Sequence, residues 1–143
     1  MRLRAASALA ELGDKSVIPL LKDALKDDSP VVRVYAAGAL GKIGDKSVIP
    51  LLKDALKDEK AGIRAYAAIG LGELGDKSVI PLLKGALKDE KAWVRLMAAS
   101  ALAELGDKSV IPVLRDALKD EIAGLRLRAA SALVKISKIQ KGK

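Results

Sequence analysis

The sequence contains no histidine, cysteine, asparagine, threonine or phenylalanine, and these absences exclude several kinds of chemistry. Without cysteine, the chain has no disulfide, no thiol nucleophile and no thiolate ligand for zinc. Without histidine, it lacks the commonest general base and transition-metal ligand. We therefore predict no catalytic residue, no cofactor site and no metal site, and we expect the protein not to be an enzyme.

Aromatic residues are also scarce, since Tyr35, Tyr66 and Trp93 are the whole set although half of the chain is hydrophobic. A core must therefore be built from leucine, isoleucine, valine and alanine. Alanine and leucine are strong helix formers and β-branched runs are short, so the composition predicts an all-α protein. The chain has 143 residues, the size of one ordinary domain.

No apolar run approaches the roughly 20 residues needed to cross a bilayer, and no signal peptide is recognisable. We therefore expect a cytoplasmic protein with no membrane partner. The missing asparagine and cysteine, together with abundant lysine and glutamate, fit a thermostable protein and a simplified, designed sequence equally well. The formal net charge of +8 favours an acidic partner, but without a motif or interleaved aromatic residues we do not expect nucleic acid.

A repeat of 31 residues is the strongest signal in the sequence. The segment Gly-Asp-Lys-Ser-Val-Ile-Pro begins at Gly13, Gly44, Gly75 and Gly106. A hydrophobic residue followed by arginine recurs at the same interval. We divide the chain into units that begin near residues 1, 32, 63, 94 and 125. They form a single predicted domain over residues 1–138, which a basic C-terminal tail follows at 139–143.

Each unit predicts two helices, called helix A and helix B below. Helix A begins near Asp14, a good N-cap, and Pro19 predicts a slight kink or a late start in its first turn. Helix B begins after Ser29, a second N-cap, and Gly44 ends it. Later repeats have lysine or isoleucine at the Ser29 position, so a preceding aspartate is expected to cap there: Asp58, Asp89 or Asp120. Neither helix can bury its apolar face alone, so successive pairs must stack on a continuous core.

The pattern from Val32 to Lys53, Val-Arg-x-x-Ala-Ala-x-Ala-Leu-Gly-x-Ile-Gly-Asp-Lys-Ser-Val-Ile-Pro-Leu-Leu-Lys, resembles the short HEAT-like repeats named after the phycobilin lyases. It is also similar to the artificial αRep scaffolds derived from that group. The resemblance implies a right-handed α-solenoid of stacked two-helix repeats, whose variable helix B positions line a concave surface and select partners. It leaves the function of this chain open, because fold does not fix function.

The positions at which the repeats differ most form a second stripe on helix B, and all three aromatic residues fall on it. Tryptophan, tyrosine, methionine and arginine are enriched in interface cores. Packed helices lie about 8–10 Å apart, so Tyr35 and Trp93 are expected to span about 20 Å, which suits a helix, a peptide or a convex surface. The alternative is that these side chains fill gaps in the core. The predicted partner-binding residues are Val34, Tyr35, Tyr66, Ile69, Trp93, Leu96, Met97, Ser100 and Arg128.

The favoured function is a non-catalytic protein–protein interaction module that uses this stripe. The first alternative is a structural or designed repeat scaffold, or a self-assembling building block, with no native ligand. A subunit of a lyase-type enzyme and a basic nucleic-acid binder are less favoured. Because polar capping repeats are not evident at either end, we also expect a homo-oligomer that forms through uncapped ends.

Two further patterns have structural interpretations. The segment Gly70-Leu71-Gly72-Glu73-Leu74-Gly75 matches the dinucleotide fingerprint GxGxxG, but it lies within and at the end of a helix B, so close packing is the better explanation. Arginine and aspartate also recur at fixed positions in every repeat. We interpret them as internal ion pairs that join adjacent repeats: Arg2, Arg33, Arg64, Arg95 and Arg126 with Asp27, Asp58, Asp89 and Asp120.

Overall fold

A computed structural model describes residues 12–141, in which all regular structure is helical. Eight α-helices of this region alternate between short A helices and longer B helices. The A helices are α1 (Ile18–Ala24), α3 (Ile49–Ala55), α5 (Ile80–Ala86) and α7 (Ile111–Ala117). The B helices are α2 (Pro30–Ile43), α4 (Ala61–Glu73), α6 (Ala92–Glu104) and α8 (Ala123–Lys141). The predicted all-α solenoid of two-helix repeats is confirmed, while residues 1–11 of the unit that begins at Met1 lie outside the described residues.

A 3₁₀ turn precedes each A helix, and Lys15–Val17 is the first of these turns. The Asp14 carboxylate accepts a hydrogen bond of 2.9 Å from the backbone N–H of Ser16, and the contact recurs in the later repeats. Pro19 lies in the first turn of α1, so the α-helix begins at Ile18, and the predicted late start is confirmed. The aspartate therefore caps the 3₁₀ turn and not the α-helix itself.

The turn between helices A and B corrects one capping prediction. Ser29 occupies the N-cap position of α2, but its side chain makes no capping hydrogen bond. The Asp27 carboxylate instead accepts a hydrogen bond of 2.8 Å from the backbone N–H of Ser29. Asp58, Asp89 and Asp120 each accept the equivalent bond at 2.9 Å. Because aspartate holds the turn, the residue that follows two positions later is free to be serine, lysine or isoleucine.

Glycine ends the B helices in a left-handed conformation, as predicted, with a φ of 73° at Gly44. The position one repeat after Gly106 is occupied by Ser137, and α8 continues through it to Lys141. A residue with a Cβ adopts left-handed φ values reluctantly, which favours continuation of the helix. The predicted boundary between domain and tail at residues 138 and 139 therefore does not coincide with a helix end.

Most of the core is one continuous cluster built from both helix types, and a small second cluster contains Ala55, Ile63 and Ala67. The leucines Leu21, Leu52, Leu83 and Leu114, one from each A helix, are fully buried. Successive B helices approach most closely at glycines: a Cβ on Gly41 would overlap the Cα of Gly70, and a Cβ on Gly72 would lie 2.7 Å from that of Ala101. The close-packing interpretation of Gly70 and Gly72 is therefore confirmed.

Arginine–aspartate pairs join adjacent repeats at two of the predicted positions, whereas Arg95 and Arg126 donate to backbone carbonyls of the preceding turn and make no ion pair among the described residues. Arg33 Nε donates to Asp58 Oδ2 at 3.0 Å, and Arg64 Nε donates to Asp89 Oδ2 at 2.7 Å. Each of these arginines also donates through Nη1 to a backbone carbonyl of the preceding turn, at 2.8 Å in both cases. Arg2 lies outside the described residues. The pairs that are present connect a B helix to the turn of the following repeat, so they fix the relative position of the repeats.

In the part of the chain that the structure describes, none of the helices combines the length and hydropathy needed to cross a membrane.

Candidate protein-binding surface

The aromatic residues form an exposed row across three consecutive B helices. Tyr35 on α2 is 45% exposed, Tyr66 on α4 is 38% exposed and Trp93 on α6 is 41% exposed. Because large apolar rings are left about two-fifths exposed on three successive helices, they define a distinct surface. We call this row, with the side chains around it, the aromatic face.

Three of the predicted site residues are buried, and their predicted role as exposed contacts was wrong. Leu96 is 4% exposed, Met97 is 2% exposed and Ser100 is 7% exposed. Leu96 and Met97 belong to the core cluster, as does Ala65, which occupies the Leu96 position one repeat earlier. The flexible, unbranched side chain of methionine suits it to filling space between packed helices. In this part of the stack the alternative, in which the side chains fill gaps in the core, is correct.

The other predicted residues differ in accessibility. Val34 and Ile69 are half-buried beside the aromatic row, while Arg128 is exposed on α8, two repeats beyond Tyr66. The structure therefore brings Val34, Tyr35, Tyr66 and Trp93 together on consecutive helices. Whether these residues contact a partner stays a prediction.

Small residues create the space against which the rings rest. A Cβ on Gly38 would lie 3.6 Å from Cδ1 of Tyr66, so that ring packs over the glycine of the preceding repeat. Gly62 has the same relation to Trp93, whose Cζ3 atom lies 4.0 Å from the Cβ position. The rings of Tyr66 and Trp93 therefore lie over glycine positions of the preceding repeats.

An apolar slot lies at the α2 end of the aromatic face. It has a volume of about 320 Å³ and is lined mainly by Pro30, Val31, Val34, Tyr35, Lys60 and Gly62. Val31 is 64% exposed, and Lys60 is the charged residue of the lining. Sequence reasoning missed Lys60 and did not assign a role to Gly62. The sequence does contain one signal for the slot, because the position that holds glycine at 62 holds tryptophan one repeat later, at 93.

Charged residues border the aromatic face near the ends of the B helices. Glu104 on α6 accepts a hydrogen bond of 2.8 Å from Lys135 Nζ on α8. Burial raises the pKa of Glu73 above its ordinary value, with Lys42 opposing this shift and Glu104 adding to it. This border is therefore mixed in sign, and it supplies no concentrated charge of one sign for a ligand.

A second, smaller cavity of about 120 Å³ lies between α1 and α3 on the side of the A helices, where Lys22, Leu25, Leu51 and Asp54 line it. Among residues 12–141 we find no group of three or more acidic side chains arranged to hold a metal ion. The aromatic face is thus the surface with the clearest chemical character in the described region, and its character is apolar.

Comparison with known proteins agrees with this architecture. The sequence pattern of HEAT repeats matches residues 1–69 and 55–134. The chain therefore belongs to the HEAT-repeat family.

Two solved structures show the same fold. The complex of CpcE and CpcF of phycocyanin lyase from Nostoc sp. PCC7120 is similar with a TM-score of 0.74 and 24% identity, over 96% of this chain and 59% of that one. Human deoxyhypusine hydroxylase in complex with glycerol is similar with a TM-score of 0.65 and 24% identity, over 95% of this chain and 47% of that one. This chain thus spans about half of the length of those proteins. No curated protein matches the sequence.

Proposed function

We propose that this HEAT-repeat chain is a non-catalytic protein-interaction module whose partner binds to the aromatic face. The observation that carries the proposal is the row of half-exposed rings at Tyr35, Tyr66 and Trp93, which are all the aromatic residues of the chain. Buried aromatic anchors dominate the energetics of many protein interfaces. Their concentration on one face therefore favours a partner at that face.

The support beneath the rings also favours binding. Tyr66 and Trp93 lie over Gly38 and Gly62 of the preceding repeats and bury more than half of their surface, so part of each ring is already packed before a partner arrives. Ordering a mobile side chain on binding costs about 0.5–1.5 kcal/mol, and rings that are partly packed avoid part of this cost. The similar fold in the CpcE–CpcF complex belongs to an assembly of two chains, which supports the proposal by analogy.

The proposal is tested by affinity capture with the intact chain and with a Tyr35→Ala, Tyr66→Ala, Trp93→Ala variant. We expect a partner that the intact chain retains and the variant loses, because the variant removes the anchors without touching the core cluster. Circular dichroism establishes that the variant is folded.

A matched control removes exposed apolar side chains from the A helices, with Leu20→Ala and Val113→Ala, both of which are at least 40% exposed in the intact chain. This control should retain the partner. Equal capture by the aromatic variant would assign binding to another surface and contradict the proposal.

Self-assembly is a second candidate, favoured by exposed apolar residues at the outer side of α8. Leu127 is 73% exposed and Val134 is 54% exposed, whereas Leu96, one repeat before Leu127, is covered. Side chains at these positions face the next repeat where one is present. A second copy of the chain would cover the same surface.

A further inference from the structure

The slot beside Tyr35 exists because residue 62 is glycine. A Cβ there would meet Val34 Cγ2 at 3.7 Å and Trp93 Cζ3 at 4.0 Å. Side chains of α2 and α6 therefore lie near the position that a side chain at residue 62 of α4 would occupy. One repeat later, the equivalent position holds Trp93. The gap at Gly62 therefore lies at a position that varies between repeats, and it is placed between two exposed aromatic side chains.

The walls of the slot determine what would occupy it. Val31, Val34 and Tyr35 present apolar surface, and the buried Ile63 also lines the slot. Pockets for drug-sized ligands range from about 300 to 1,000 Å³, so a slot of about 320 Å³ is at the small end of that range. This size suits one large aliphatic or aromatic side chain of a partner and is too small for a whole helix.

Lys60 gives the slot a charge preference. No ion pair involves its ammonium group among the residues that the structure describes. The nearby Asp58 carboxylate is already engaged by the Arg33 guanidinium and by the backbone N–H of Lys60 itself. A carboxylate on the partner would therefore add an ion pair without displacing an internal one. The net charge of +8 also favours an acidic ligand.

We infer that the slot over Gly62 binds a protein segment in which one large apolar side chain lies next to an acidic residue. The apolar side chain fills the space beside Val34, Tyr35 and Gly62, and the acidic residue pairs with Lys60. This inference rests on the proposed function, because it assigns a partner chemistry to one part of the aromatic face.

A phage-displayed library of random peptides, selected on the intact chain, tests the inference. The enriched peptides should share an apolar residue adjacent to aspartate or glutamate. Their affinity should fall about 30-fold for Gly62→Leu, the loss expected for one interface anchor, because leucine fills the slot. A Cβ at this position meets nothing closer than 3.7 Å and leucine forms helices better than glycine, so the variant should fold.

Gly124→Leu is the matched control. Gly124 is the second residue of α8, as Gly62 is of α4, and a Cβ on it would meet no atom within 4 Å. This variant should bind the same peptides with unchanged affinity. Lys60→Glu, a substitution at an exposed position, should weaken binding of the acidic peptides and restore it for peptides that carry lysine instead.

The outcomes separate the two proposals. If the aromatic triple variant loses the peptides but Gly62→Leu retains them, the slot inference is wrong and the aromatic face remains the binding surface. If Lys60→Glu leaves the charge preference unchanged, the assigned partner chemistry is wrong. Failure of the library to yield any peptide that depends on either the slot or the aromatic residues would contradict both proposals.

Discussion

Asp89 shows how one side chain stabilises two levels of the structure. Its Oδ1 atom accepts the backbone N–H of Lys91 at 2.9 Å and also the Nη2 group of Arg64 at 3.1 Å. The side chains of Asp89 and Arg64 are each 11% exposed, so solvent screens the pair only in part. The hydrogen bond from Arg64 is the main cause that holds the pKa of Asp89 below its ordinary value. The same carboxylate thus fixes a turn and joins two repeats.

We predict that Asp89→Asn lowers the free energy of unfolding at neutral pH by about 2 kcal/mol, because Arg64 keeps its burial and loses its counter-charge. Asparagine can still accept the Lys91 N–H, so the turn should survive. A carboxyl group with a lowered folded-state pKa stabilises the protein above its unfolded pKa, and that contribution is lost as the pH falls through the folded pKa. The difference between variant and intact chain should therefore shrink in acid.

Urea unfolding at a series of pH values measures this difference. Asp116→Asn is the control, since that exposed carboxylate makes no ion pair among the described residues. It should change stability by less than about 0.5 kcal/mol. An equal effect of the two substitutions on the free energy of unfolding would show that the ion pair between Arg64 and Asp89 adds no more stability than an exposed carboxylate does.

The packing of the B helices depends on glycines at the helix crossings. A Cβ on Gly41 would overlap the backbone of Gly70, which cannot rotate away as a side chain can. At Gly72 the Cβ of Ala101 is the nearest obstacle. The close approach of α2, α4 and α6 therefore depends on residues that make no specific polar contact, and it sets the spacing of the rings that those helices carry.

We predict that Gly41→Ala lowers the free energy of unfolding by about 2 kcal/mol through overpacking, although alanine is the better helix former. Gly85→Ala is the matched control, because Gly85 lies in α5 with no atom within 4 Å of its Cβ position. The control should raise stability by up to about 1 kcal/mol. Denaturant unfolding of both variants provides the test, and a stabilising Gly41→Ala would show that the helices can separate without loss.

At the scale of the whole molecule, apolar side chains of the kind that pack between repeats elsewhere are exposed on the outer side of α8. Leu127 and Val134 occupy positions that face the following repeat elsewhere, and both are exposed. Helix α8 contains several lysine and arginine residues and no acidic residue. In a pair of copies that met through α8, apolar attraction would be opposed by charge repulsion, which added salt should relieve.

We predict concentration-dependent self-association that strengthens with salt, measured by sedimentation velocity over a dilution series. A Leu127→Glu, Val134→Glu variant should remain monomeric, because it places charges where apolar contact is needed. A Leu20→Glu, Val113→Glu variant is the control on the A helices and should associate as the intact chain does. A monomeric mass for the intact chain at all concentrations and salt levels would contradict the prediction.

The sequence was sufficient to predict the repeat, the helix order and two of the internal ion pairs. Gly44 ends helix B because few other residues adopt its backbone conformation, and Asp14 caps a turn through a contact two residues away. Arg64 and Asp89 could be paired from the sequence because each lies at a fixed phase of the same 31-residue period. These features depend on local chemistry or on a spacing that repeats, and both can be recognised in a single chain.

The exposure of individual stripe residues required the packed structure. Tyr66 and Met97 occupy equivalent positions in successive repeats, yet the tyrosine is 38% exposed and the methionine is 2% exposed. The slot over Gly62 likewise forms only where Val34 and Tyr35 on α2 lie beside the glycine on α4. Equivalent positions in the sequence have different neighbours across the helix interface, and the sizes and directions of those neighbours determine which side chains remain accessible to a partner.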